Sequence, residues 1–182
     1  MIALAYHFAS RLAYVLYIGL TLAREDRSAY LTARHGAEQA FRRFRRVAAT
    51  LMLNDAASFV LLCVVTRNTL RLPVPPAVTI AVGAVLVLVG IAVKVWATAT
   101  LGAGAYYWRD FFVTIERPVP ATAGPYPFLK NPMYSVGYLP TYGLALVTAS
   151  LPALIASAID QGAILAFYRW VEKPHFKKML TS

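Results

Sequence analysis

A single cysteine, Cys63, leaves the chain without the means for an internal disulfide or a cysteine-rich metal site. Its place inside an apolar run reads as that of a small buried hydrophobe. Acidic residues are also scarce: 8 Asp and Glu stand against 18 Lys and Arg in 182 residues, and charged residues make up only 14%. With 59% hydrophobic residues the composition excludes an ordinary soluble domain. Nor does the net charge of +10 point to nucleic acid, because the positive residues lie between apolar runs instead of along one face. Seven arginines fall within residues 24–46, a pattern expected of a solvated, lipid-facing segment inside the cell. The first residues lack the charged start and small-residue cleavage site of a signal peptide, so a retained helix is expected there. No internal repeat or low-complexity segment is evident.

What is present is long hydrophobic runs, at residues 1–23, 47–66, 77–101, 134–149 and 151–171. A spanning helix needs roughly 20 largely apolar residues. Residues 134–171 exceed one crossing, and Pro152 in "ASLPA" offers a break, so the last two runs are expected to form a helical hairpin. The fold class is therefore an all-α integral membrane protein, a single domain over residues 1–182 with about five transmembrane helices. Three of these lie in residues 1–100, with a basic loop at 24–46. Placing that loop in the cytoplasm puts residues 102–131 and the tail from 169 on the same face, consistent with Arg109, Arg117, Lys130, Arg169, Lys173, Lys177 and Lys178. Within the runs, Arg11, Asp55 and Asp160 can share one depth. Intramembrane charge is costly and usually paired, so Arg11 is expected to pair with Asp55 or Asp160, either as a packing device or as a polar pocket for a headgroup.

Three polar stretches border this face. "TLGAGAYYWRDFF" carries Gly102 and Gly104, which permit close backbone approach by a ligand or a helix. Tyr106, Tyr107 and Trp108 follow, as an interfacial aromatic belt or as ring faces for a cation. "GPYPFLKNPMYSVGYLPTYG" holds Pro125, Pro127 and Pro132, which favour extended residues before them and hence a stiff strap. Asn131 before Pro132 reads as a helix N-cap; alternatively the strap, with Asn131 and Tyr134, cradles a cofactor. "VEKPHF" brings Glu172 and His175 to the end of the last helix, as a surface salt bridge, a C-terminal cap or a functional pair.

In this order the three stretches resemble the phospholipid N-methyltransferases, membrane enzymes that use S-adenosylmethionine to convert phosphatidylethanolamine toward phosphatidylcholine and that look related to the isoprenylcysteine carboxyl methyltransferases. The resemblance covers about residues 98–176, with Asn-Pro-Met-Tyr at 131–134 its most specific element. It implies a methyltransferase core over residues 101–182 and a cofactor site at the cytoplasmic face. The family's Gly-x-Gly motif falls on Gly102 and Gly104, and its paired-glutamate motif falls on Glu172 and Lys173, so the second acid is missing. Where relatives often carry Arg-His-Pro, this chain has Lys130, Asn131 and Pro132.

The resemblance implies S-adenosylmethionine at Gly102, Gly104, Pro125, Tyr126, Asn131, Pro132, Met133, Tyr134 and Glu172. A lipid substrate is then expected near Tyr106, Tyr107, Trp108, Arg109 and Lys130. Methyl transfer needs a neutral amine, so a proton acceptor is required; Glu172, His175 and Asp110 are the candidates, with Glu116 a further carboxylate on the same face. No metal is implied. A prenyl-cysteine carboxylate or small thiol acceptor, and a non-catalytic membrane protein, are the alternatives.

Overall fold

The computed structural model describes residues 1–113 and 123–181. Among them there is no strand. The chain runs through α1 (Ile2–Ser28), α2 (Thr32–His35), α3 (Ala37–Val65), α4 (Pro76–Leu101), α5 (Ala103–Tyr106), α6 (Leu139–Val147), α7 (Leu151–Phe167) and α8 (Lys173–Thr181). A π-helical turn, Tyr168–Glu172, joins α7 to α8. Among the described residues four helical stretches are long and apolar enough to cross a membrane: α1, α3, α4 and the run Leu151–Met179.

The expected fifth span is not formed at full length. The helical part of that run covers only Val136–Val147, about 18 Å of rise, because its first residues are taken up in turns around Asn131 and Pro132. The hairpin itself is present: Ala149 adopts φ 48°, and the Ser150 hydroxyl caps α7 by accepting from Ala153 N at 3.1 Å. Pro152 therefore sits in the first turn of a helix, where its missing N–H costs nothing. The basic loop also needs correction. Residues 24–28 and 37–46 are helical, and the reversal is confined to 29–36. There the buried Glu25 carboxylate accepts from the backbone N–H groups of Leu31 at 2.7 Å and Thr32 at 3.0 Å.

Short α6 lies against α4 at backbone contact distance. A methyl placed on Gly143 would sit 2.4 Å from the Gly83 carbonyl oxygen, and one on Gly90 would sit 2.3 Å from Pro140 Cδ. Small residues let two helices approach where lipid supplies no hydrophobic drive between them. This contact fixes the height of α6 on α4, and with it the height of the strap that precedes α6.

Helices α1, α3 and α7 enclose two apolar clusters. Tyr14, Ile18, Phe44, Trp108 and Phe167 belong to the one at the arginine-rich end; Phe59, Leu62, Cys63, Ala145 and Ala153 belong to the other. Between them along these helices lies a buried polar layer. Arg11 Nη2 donates to Asp55 at 2.7 Å and to Asp160 at 2.9 Å, so the expected pairing is met by both acids together. His7 joins them, with Nε2 3.0 Å from Asp160 Oδ2 and Nδ1 2.9 Å from Ser58 Oγ. Removing one partner of a buried ion pair strands the other. Asp160→Ala is accordingly expected to cost about 3–5 kcal/mol, read as a lowered thermal-unfolding midpoint in detergent. Ser58→Ala is expected to cost about 1 kcal/mol; equal effects from the two would refute this ranking.

Candidate active site

The candidate site grows from the inner end of α4. Gly102 closes that helix, its N–H donating to Thr98 O at 2.8 Å, and adopts φ +84°, a conformation that favours glycine. A methyl placed on Gly102 would meet no atom within 4 Å, whereas one on Gly104 would lie 3.1 Å from Arg109 Cδ. Of the two motif glycines, Gly102 faces open space and Gly104 accommodates a neighbouring side chain.

After α5 the chain turns back through Trp108, itself at φ 55°. The indole is buried, packed edge-on to Phe44 and Phe167, so Trp108 is neither a belt residue nor a surface for substrate. Its Nε1 donates to Glu172 Oε1 at 2.6 Å. Tyr107 receives the Arg45 guanidinium over its ring at 5.1 Å. Of the three aromatic residues only Tyr106 lines a groove, one of about 610 Å³ along α4 with Ile91, Val95 and Ala99 as its apolar wall and Lys94, Thr98 and Gly102 completing it. That volume lies in the range of small-molecule sites.

The strap is not extended. Gly124 and Asn131, each followed by proline, adopt φ 61° and 57°, and the segment folds as successive turns, with Leu129 N donating to Pro125 O and Ser135 N to Asn131 O. Tertiary contact overrides the pre-proline preference for extended backbone. Gly124 approaches α4 so closely that a methyl on it would lie 2.1 Å from Thr100 Oγ1, and Pro125 and Pro132 are fully buried. No helix begins at Pro132, so Asn131 is not an N-cap; its Nδ2 is buried without a hydrogen-bond partner among the described residues. Met133 is half-buried in the same turn. Tyr134 reaches across to Glu172 Oε1, donating at 3.0 Å. Gln161 of α7 holds the strap from behind, its Nε2 donating to Tyr134 O at 3.0 Å while Oε1 accepts from Tyr142 at 2.8 Å.

Glu172 itself ends the π turn and is 7% exposed. Pro174 lacks the N–H that an α-helix would use two residues further on, and π turns recur at functional sites. The three stretches thus meet on one carboxylate oxygen, leaving Oε2 without a partner among the described residues.

Burial, reinforced by the Glu172 charge, pushes the Tyr126 phenol up to about 12 and raises Tyr134 well above the usual tyrosine value, so both remain donors at neutral pH. Burial also raises Asp110, against the opposing pull of His175 and Arg109. Such a carboxyl takes up a proton closer to neutrality than a free aspartate. His175 is held by one nitrogen: Nδ1 lies 2.7 Å from Asp26 Oδ1 and its ring stacks on Phe111 at 3.7 Å, while Nε2 is buried without a hydrogen-bond partner among the described residues. Together with the Lys178–Asp26 pair, that arrangement ties α8 to the end of α1. Arg109 pairs with Glu38, and Lys130 is exposed. Glu116 and Arg117 lie outside the described residues.

A family profile described as phospholipid methyltransferase matches residues 78–182, a stretch that contains Gly102, the strap and Glu172. The chain belongs to this family. It is similar to the phosphatidylethanolamine N-methyltransferase of Aspergillus terreus, at 34% identity over 140 residues, covering 74% of this chain and 14% of that protein. Proteins of the same name from Aspergillus flavus, at 35%, and Penicillium rubens, at 34%, match over the same length and the same shares. The chain thus spans about a seventh of the length of these relatives. No solved structure matches it.

Sequence reasoning passed over His7, Lys94 and Gln161. The signal available for each was a polar residue interrupting an apolar run. In this member of the phospholipid methyltransferase family, Glu172→Ala is expected to leave the Trp108 and Tyr134 donors unpaired. At about 1–3 kcal/mol for each stranded group, the loss should be visible in thermal unfolding. Glu172→Gln, which retains an acceptor oxygen, is expected to unfold within about 1 kcal/mol of wild type; an equal loss in both variants would show that the two bonds are not formed.

Proposed function

We propose that the chain transfers methyl groups from S-adenosylmethionine to the amine of phosphatidylethanolamine or its monomethyl and dimethyl derivatives, toward phosphatidylcholine. The convergence of Trp108 and Tyr134 on Glu172 Oε1 carries this reading: it joins the segment that follows the Gly-x-Gly pair to the Asn-Pro-Met-Tyr and glutamate elements of the family. Family membership and the names of the relatives support it.

The residues present fit the methyl donor. The open side of Gly102 offers a cradle that a Cβ would fill, Asn131 Nδ2 is a buried donor awaiting an acceptor, and Glu172 Oε2 is a free acceptor for a ribose hydroxyl or amino group. When bound, S-adenosylmethionine supplies an electrophilic sulfonium methyl for displacement in line with the departing sulfur. Tyr134 and Trp108 orient Glu172 so that its second oxygen faces a ligand, and Gln161 keeps Tyr134 in place. Lys173, standing where the second family glutamate would be, is exposed, so Glu172 works without an acidic neighbour at that position.

The acceptor amine must lose a proton, its own pKa being near ~10. Asp110, raised by burial and within electrostatic reach of Glu172, is the favoured acceptor for it. His175, bound to Asp26, acts here as an anchor for α8. The arginine-rich ends of α1 and α3 adjoin the site through Arg109–Glu38 and Arg45–Tyr107, so the positive-inside rule orients it toward the cytoplasm.

The test is expression in cells rich in phosphatidylethanolamine and lacking methylated lipids, followed by separation of the lipid extract by mass. Wild type is expected to yield species heavier by one, two or three methyl groups. Glu172→Gln and Gly102→Leu are expected to abolish them while the protein stays in the membrane. An unchanged lipid profile with inserted wild-type protein would refute the acceptor, and normal turnover in both variants would refute the site.

A further inference from the structure

Lys94 is a basic residue without a carboxylate partner among the described residues. It lines the α4 groove together with Gly102 and Tyr106, and among the described residues no carboxylate forms an ion pair with it; the charged side chain within its electrostatic reach is Arg11, another cation. Arg11 is itself held by Asp55 and Asp160, and neither of these acids forms an ion pair with the lysine. An ionised group in a membrane helix is costly and is ordinarily paired, or marks a substrate path. The Lys94 stem runs past Gly137, close enough that an added methyl there would rest in ordinary contact with its Cβ and Cγ at 3.8 Å.

Depth and surroundings narrow the missing anion. Lys94 stands 18 residues beyond Pro76 in α4, about 27 Å along the axis. That is close to the far border of a hydrocarbon core roughly 30 Å thick, where lipid phosphates begin. The wall beside it is aliphatic, and Ile91 and Val95 are exposed as a lipid-facing surface would be. The two basic residues expected near the lipid from the sequence do not line the groove: Arg109 pairs with Glu38 and Lys130 is exposed on the strap.

We propose that Lys94 binds the phosphate of the phospholipid substrate, with an acyl chain lying along Ile91, Val95 and Ala99 and the headgroup amine directed toward Gly102 and Tyr106. The inference rests on the methyltransferase reading above and adds to it a determinant of substrate choice. A phosphate on an ammonium in a site of low dielectric forms a charge-assisted hydrogen bond.

The experiment compares phosphatidylethanolamine with a diacyl lipid amine lacking the phosphate, as acceptors for the purified full chain in mixed micelles. Wild type is expected to favour the phospholipid in kcat/KM by about 10–100-fold. Lys94→Met should bring that ratio close to one, mainly through KM, and Lys94→Arg should largely keep it. Because both rates come from one preparation, partial misfolding scales them alike and leaves the ratio unchanged. Should Lys94→Met lack all turnover, the ratio is read on Lys94→Gln. A wild-type ratio in the uncharged variant overturns the inference while leaving the methyltransferase reading intact. So does a variant that loses affinity for S-adenosylmethionine and keeps its lipid preference, which would assign Lys94 to the cofactor's carboxylate. A wild type that methylates neither lipid overturns both.

Discussion

Glu172 Oε1 accepts the Trp108 indole at 2.6 Å and the Tyr134 phenol at 3.0 Å, and most of what surrounds the site follows from satisfying that buried carboxylate. Burying a charged group is tolerable only when it is hydrogen-bonded. The donors here come from two segments that are well separated along the chain. Trp108 reaches it by a left-handed turn after α5, and Tyr134 by the turns that begin at Asn131. The π turn that ends at Glu172 keeps the residue buried near the end of a helix that otherwise heads out of the bundle.

The rest of the bundle sets the height at which these segments meet. Gly83, Gly90 and Gly143 bring α4 and α6 into backbone contact, which starts α6 well inside the length of α4 and leaves the strap beside the last turns of that helix. Non-helical backbone at such depth is tolerated where protein covers it or where it lines a cavity. Here burial of Pro125 and Pro132, and the Gln161 amide on the Tyr134 carbonyl, supply that cover. The polar layer of His7, Arg11, Asp55, Ser58 and Asp160 registers α1, α3 and α7 against one another, as charged partners can where apolar surfaces alone would slide. None of its members lines the α4 groove, and Arg11 links the two aspartates within it.

The proposed function implies a division of labour between two solvents. On that reading the α4 face with Ile91, Val95 and Ala99 meets acyl chains, while the strap and the basic ends of α1, α3 and α8 meet water. Gly102 belongs to both settings, closing the groove and opening the turn that leads to Trp108. A chemistry joining a lipid amine to a water-soluble donor needs such a shared point.

The sequence by itself determined the solvent, the helical class, the break near Pro152 and the pairing of Arg11 with an aspartate, because hydropathy and the cost of unpaired charge act on local composition. That both Asp55 and Asp160 take part is a matter of packing. The sequence also marked the three stretches that the fold brings together at Glu172, through motifs whose residues are close in sequence. The shortening of the fifth apolar run, the coiling of the strap, the burial of Trp108 and the anchoring of His175 by Asp26 were decided only by the tertiary structure. Each depends on a partner far along the chain: Gly83 for Gly143, Thr100 for Gly124, Glu172 for Trp108, and a residue of α1 for one of α8. Local preferences such as extended backbone before proline amount to a kcal/mol or so, and a buried contact of this kind is strong enough to override them.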